Sequence, residues 1–198
     1  MKRIKDLNLI FKAILFAIGK HEGQIRKDAE RSPYITHPLL VAQVLLEIGD
    51  VQDPSTLIAA ILHDTLEDTK TTEAEIREAF GEEILQIVLE VTDDKSLEKI
   101  ARKRLQVIHA PSISVKAKVI KLSDKLVNCR DILNSPPEDW HLGRRREYIQ
   151  WAADVVENLR NANAPLELAF DQILSDAEEG LDFKIKPYES INERSWAP

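Results

Sequence analysis

Residues 59–69, Ala-Ala-Ile-Leu-His-Asp-Thr-Leu-Glu-Asp-Thr, constrain the fold more than any other stretch. Four apolar residues demand a buried helix, yet they lead directly into His63 and Asp64, and Glu67 and Asp68 follow within the next turn. At about 3.6 residues per turn, His63 lies over Glu67 and Asp64 over Asp68. One helix end thus gathers an imidazole and three carboxylates. Like charges repel there, and a helix C-terminus disfavours anions. Such a cluster is unfavourable without a cation, and a divalent metal ion meets that need most simply.

The rest of the chain reads as helix. Leu7, Ile10, Phe11, Ile14, Leu15 and Ile18 repeat at core-facing spacing over residues 6–20. A polar loop, 21–36, leads to His37-Pro38. Proline favours the first helical turn and restricts the residue before it, so a helix over 38–48 is expected, with His37 extended at its entrance and Gly49 at its end. Asp53-Pro54 starts the helix 54–66 that carries His63 and Asp64, and Thr72-x-x-Glu75 is a capping box for a short helix ending at Phe80-Gly81. Further helices are expected over 82–92, 97–109 (strongly basic), 114–133 with Val115, Val119, Ile120, Leu122, Leu126 and Val127 inward, 143–161 and 165–176. No strand pair and no internal repeat stands out. The fold class is therefore all-α: a single helical bundle of about eight to ten helices over 1–178, followed by an irregular or mobile tail over 179–198.

Composition narrows the function classes. A chain of 198 residues with 43% hydrophobic and 31% charged residues suits one soluble core. The net charge of −7 argues against a nucleic-acid polymer as partner, though not against a small anion held by a local basic pocket. The single cysteine, Cys129, excludes an intrachain disulfide and a cysteine-based zinc site and fits a cytoplasmic location. No apolar run reaches membrane-spanning length.

His63-Asp64 alone reads as easily as a satisfied structural pair. Glu67-Asp68, His37 beside Pro38, and Asp124 in Lys-Leu-Ser-Asp-Lys-Leu (121–126) change that reading. Asn128, at i+4 from Asp124, faces the same cavity. The set His37, His63, Asp64 and Asp124 suits manganese, iron or zinc in a catalytic role with positions open for water and substrate.

These residues carry a resemblance. His37, Leu-His-Asp-Thr-Leu-Glu-Asp-Thr (62–69) and Leu-Ser-Asp-Lys-Leu-x-Asn-x-Arg-Asp (122–131) resemble the HD-domain metal phosphohydrolases. Arg26-Lys27-Asp28, Ser-Pro-Tyr-Ile-Thr-His-Pro (32–38), Phe80-Gly81, Val-Thr-Asp-Asp-Lys (91–95) and Arg-Lys-Arg-Leu-Gln (102–106) are similar to the RelA/SpoT hydrolase domain and the small alarmone hydrolases, over roughly residues 6–175. Ser123, where alanine is more usual, and Cys129, where leucine is common, depart from that pattern.

The resemblance implies one manganese(II) per chain on His37, His63, Asp64 and Asp124, with Glu67 and Asp68 orienting or deprotonating the attacking water. It implies substrate contacts from Arg26, Lys27, Asn128 and Tyr148, and more distantly from Lys95 and Arg144 in the run 144–146, which reads equally as a solvated basic face. The implied reaction is hydrolysis of the 3′-diphosphate of (p)ppGpp to GDP or GTP and pyrophosphate, without synthetase activity, since the chain is short for a second catalytic unit. (p)ppApp or the 2′-phosphate of NADPH are alternative substrates in the same pocket. A nucleotide-sensing protein without turnover is the alternative of a different class. A monomer or homodimer acting on a small nucleotide, away from membranes, is expected.

Overall fold

The computed structural model describes residues 2–28 and 30–190. Ten helices follow one another among these residues: α1 (Lys2–Lys20), α2 (Thr36–Glu47), α3 (Pro54–Leu62), α4 (Thr65–Asp68), α5 (Glu73–Phe80), α6 (Glu82–Val91), α7 (Lys99–His109), α8 (Val115–Asn134), α9 (Leu142–Glu157) and α10 (Ala164–Gly180). The only pairing of extended backbone among the described residues is one bridge between Ile25 and Pro33. The expected all-α architecture therefore stands.

Local chemistry explains most boundaries. Asp53 accepts the Thr56 N–H at the start of α3, with Pro54 in the first turn. Thr72 and Glu75 close the capping box of α5 in both directions. Gly81, at φ +91°, divides α5 from α6 in a conformation that a side chain would strain. Ser114 caps α8 through the Ala117 N–H.

Helix α3 lies at the centre, buried from Leu57 to Leu62, with α1, α2, α6 and α8 around it. Helix α8 is the second axis and packs on α2, α10, α6 and α9. The C-terminal end of α3 and the middle of α8 therefore meet near the start of α2. Beyond α10, residues 181–190 run without regular structure along α9. Arg146 donates to the carbonyls of Leu181 and Asp182 at 2.7 Å each, and Gln150 exchanges two hydrogen bonds with Lys186. The remainder of the expected tail, 191–198, lies outside the described residues.

Several expectations need correction. His37 is not extended: α2 starts at Thr36, and the His37 N–H bonds to the Tyr34 carbonyl at 2.9 Å. First-turn N–H groups need no helical partner, so Pro38 is accommodated inside the turn and its restriction on His37 is overridden. The helix expected over 54–66 breaks after Leu62. Asp64 sits at φ −93°, ψ −4°, and the Thr65 hydroxyl takes the Leu62 carbonyl at 2.6 Å, ending the α3 ladder. Glu67 and Asp68 thus belong to the first turn of α4 and not to the C-terminus of α3. Val115 is exposed at the first turn of α8. Helix α9 stops at Glu157, earlier than 161: the Asn158 and Leu159 N–H groups turn back to carbonyls three residues earlier, and the Asn158 side chain donates to the Asp154 carbonyl at 2.9 Å. Helix α10 runs past 176 to Gly180, and the chain then turns away through Asp182 at φ +50°.

Helix α1 is turned relative to its expected orientation. Ala13 and Ala17 are fully buried, with Ile10 and Ile14 beside them, whereas Leu7, Phe11, Leu15 and Ile18 are exposed. The helix is apolar on two opposite faces, so periodicity does not choose between them. The two alanines allow α1 to approach α3 closely, and that close packing decides.

Ser123 and Cys129 are both fully buried in α8. The Ser123 hydroxyl has no hydrogen-bond partner. Ser123→Ala should therefore stabilise the fold by about 1 kcal/mol, seen as a rise of roughly 2–4 °C in the thermal midpoint. An unchanged or lower midpoint would show that the hydroxyl is satisfied in solution.

Candidate metal centre and phosphate-binding cleft

The site forms where three helices converge. The first turn of α2 supplies His37, the residues just after α3 supply His63 and Asp64, and the buried face of α8 supplies Asp124. One ligand atom from each of His37, His63 and Asp124 lies within 4.8 Å of the others, an arrangement that can hold a metal ion. His37 Nε2 is 3.1 Å from Asp124 Oδ1. Asp64 Oδ2 is 3.0 Å from His63 Nε2 and 3.8 Å from His37 Nε2.

The donor chemistry fits a cation. His63 gives its Nδ1–H to the Ala60 carbonyl at 2.7 Å, so its Nε2 can present a lone pair. That Nε2 is buried and has hydrogen-bond geometry to no partner. Burial would lower the His63 pKa, but the charges of Asp64 and Asp124 outweigh it and raise it to about 9. Burial likewise works against the ionised form of Asp124, and Lys125, His37 and His63 overcome it, holding its carboxyl well below the usual range. Without a metal, protons and the Lys125 ammonium balance this buried charge.

The ligands are braced from behind. Lys125, buried in α8, sits 3.0 Å from Asp124 Oδ2 and 4.4 Å from the centre of the Trp151 ring. Asn128 donates to Asp124 Oδ1 at 2.6 Å. Tyr34 donates to Asp64 Oδ2 at 2.6 Å and reaches Asp68 Oδ2 at 3.3 Å. Burial and then the Asp64 charge raise the Tyr34 pKa far upward, so the hydroxyl remains a donor.

A cleft of about 360 Å³ opens above these residues, lined also by Arg26, Lys27, Glu67, Asn128 and Tyr148. Glu67 Oε2 accepts the Asp93 N–H at 3.1 Å, and Arg102 Nη1 lies 3.4 Å from Oε1. Asp68 pairs with Lys95, and its backbone carbonyl accepts from Gln24 at 2.7 Å. Arg26 pairs with Asp131 on the wall. A second cavity of about 560 Å³ shares Asp93, Gln106, Trp140 and Tyr148 with the first and adds Lys99, Arg102, Lys103 and Arg144. Burial, then neighbouring Lys99, lowers the Lys103 pKa to about 8.

Of the residues singled out in the sequence, His37, His63, Asp64, Asp124, Glu67, Arg26, Lys27, Asn128 and Tyr148 meet in the central cleft. Asp68 and Lys95 form a pair beside it, and Arg144 stacks on Trp140 at 4.4 Å in the adjoining cavity. Arg145 and Arg146 bond backbone carbonyls of Ile132, Leu181 and Asp182. Sequence reasoning assigned no role to Tyr34, Arg102 or Lys125. Tyr34 and Arg102 lie within segments that carried the resemblance, and Lys125 is adjacent to Asp124, so the signal was present in position but not in residue type.

The HD domain profile matches residues 13–161, three quarters of the chain. The chain belongs to the HD domain family. Its relatives include guanosine-3′,5′-bis(diphosphate) 3′-pyrophosphohydrolase MESH1 of Xenopus tropicalis, 52% identical over 86% of this chain and 96% of that protein. The protein of the same name from Homo sapiens is 48% identical over 83% and 92%. A solved structure reported as a metazoan orthologue of SpoT that hydrolyses ppGpp superposes with a TM-score of 0.83 at 43% identity, covering 85% of this chain and 94% of that one. No helix among the described residues of this HD domain chain is long and apolar enough to cross a membrane.

Proposed function

We propose that the protein hydrolyses the 3′-diphosphate of guanosine alarmones, (p)ppGpp, to GDP or GTP and pyrophosphate, using one manganese(II) per chain. The observation that carries this reading is the likeness to the MESH1 proteins over nearly their whole length, since a histidine–carboxylate centre alone would serve many phosphohydrolases.

His37, His63, Asp64 and Asp124 would hold the ion. When bound, manganese supplies Lewis acidity, acidifying water and offsetting charge on the phosphoryl oxygens. Glu67 accepts the proton of the attacking water from its place on the cleft wall. Asp68, tied to Lys95, and Tyr34, which bridges Asp68 and Asp64, keep the acidic residues in register. Arg26, Lys27, Asn128 and Tyr148 hold the nucleotide and its 3′-diphosphate, and Arg144 and Lys103 serve phosphates that extend into the adjoining cavity. The water oxygen bonds to the phosphorus on the 3′ oxygen as the 3′ O–P bond breaks; pyrophosphate leaves carrying the new oxygen, and the ribose oxygen takes up the proton that Glu67 received.

The deciding experiment incubates metal-stripped protein with ppGpp, with and without manganese, and separates the products by ion exchange. Manganese-dependent GDP and pyrophosphate are expected. Intact ppGpp under every metal tested would overturn the reading and move the search to ppApp and NADPH, or to binding without turnover.

Two further results are expected. A metal must displace the His63 proton, so manganese affinity should rise with pH, by up to about tenfold per unit, and level off near pH 9. A flat profile in a calorimetric titration would contradict a protonated His63 in the metal-free site. Tyr34→Phe should lower turnover by about 10–100-fold while leaving the thermal midpoint within a few degrees, because it loosens the carboxylates without opening a cavity. An unchanged rate would reduce Tyr34 to a packing residue.

A further inference from the structure

The outward stripe of α1 has no role in the site or the core. Ile4, Leu7, Phe11, Leu15 and Ile18 are each 45–68% exposed and line one side of the helix, opposite the buried Ala13 and Ala17. Together they present on the order of 500–600 Å² of apolar surface, the upper end of what a monomer leaves in water.

The stripe has an internal symmetry. Its spacings are three, four, four and three residues, so it reads the same in both directions about Phe11. Against an antiparallel copy of itself, Ile4 meets Ile18, Leu7 meets Leu15, and Phe11 meets Phe11. That is the self-complementarity a twofold interface requires. Steps of three and four residues keep all five side chains in one stripe along the helix. Asn8 and Gly19 flank it without bulk or charge. We propose that this face of α1 binds a second copy of the chain, the two helices crossing antiparallel about a twofold axis at Phe11. With its polar rim, the stripe approaches the roughly 800 Å² per partner of a stable interface. An anionic lipid surface fits less well. Of the lysines along the helix, Lys12 donates to the Ala79 carbonyl at 2.7 Å and Lys20 pairs with Glu75 at 2.5 Å, while Asp6 sets a negative charge next to Lys5.

Sedimentation equilibrium and disulfide trapping of the full chain test the pairing. The wild type should sediment at twice its 22.5 kDa. Phe11→Glu should halve the mass while leaving far-UV dichroism and hydrolysis unchanged. Cys129 is buried and will not compete in cross-linking. In an antiparallel pair the two Ile4 positions lie about 20 Å apart, too far for a disulfide, whereas Ile4 and Ile18 of opposite copies are adjacent. Ile4→Cys alone should therefore stay unlinked, and an equal mixture of Ile4→Cys and Ile18→Cys should link on mild oxidation. A wild-type monomer at every loading, a monomer that instead pellets with phosphatidylserine vesicles, a dimer that survives Phe11→Glu, or self-linking of Ile4→Cys would each overturn the proposal.

Discussion

Asp124→Asn should yield a folded protein that no longer retains a divalent ion and whose ppGpp hydrolysis falls by about three orders of magnitude. Asp124, like Asp64, faces both imidazoles, 3.1 Å from His37 Nε2 and 3.9 Å from His63 Nε2. Metal catalysis of this kind contributes several kcal/mol of charge stabilisation, and about 1.4 kcal/mol corresponds to each decade of rate. The amide keeps the volume and one acceptor oxygen but removes the negative charge. The change also strands the buried Lys125 ammonium, whose carboxylate partner lies 3.0 Å away. Loss of a buried partner costs roughly 3–5 kcal/mol, so the thermal midpoint should fall together with activity. Metal content by mass spectrometry and turnover at saturating manganese separate the effects. A variant that keeps its metal and its rate would remove Asp124 from the centre.

Glu67→Gln should retain the metal and the fold and lose about a hundredfold or more in kcat, with KM little changed, because the amide cannot accept a proton. Burial comes first among the causes that raise the Glu67 pKa, and the Asp93 charge second, partly offset by the Asp93 N–H. A base acts only when ionised. The rate should therefore fall as pH drops through this raised pKa, placing the acid limb above the ordinary glutamate value of about 4.3. In Glu67→Gln that limb should vanish. Wild-type turnover in this variant would show that the base lies elsewhere, with Asp68 the next candidate.

The candidate site was legible in the sequence where chemistry and spacing coincide. His63, Asp64 and Glu67 announce themselves because a buried apolar run ends in charge. Asp124 stands out as an acid among lysines, and its bond from Asn128 follows from i,i+4 geometry. Tyr34 and Lys125 did not stand out, because a tyrosine in a loop and a lysine in a basic helix are ordinary until a buried carboxylate is found beside them. Arg102 is similar: only the packing around α7 turns one cation of a basic helix toward Glu67.

What the sequence determined by itself is what short-range bonding controls: caps at Asp53, Thr72 and Ser114, the break at Gly81, and the all-helical class. Each depends on groups within a few residues, which find one another in any fold. What only the tertiary structure decided is what depends on distant partners. His37 and Asp124 are 87 residues apart in sequence and 3.1 Å apart in space. The face of α1 that enters the core was chosen by close contact with α3, because both faces offer apolar area and only shape complementarity distinguishes them.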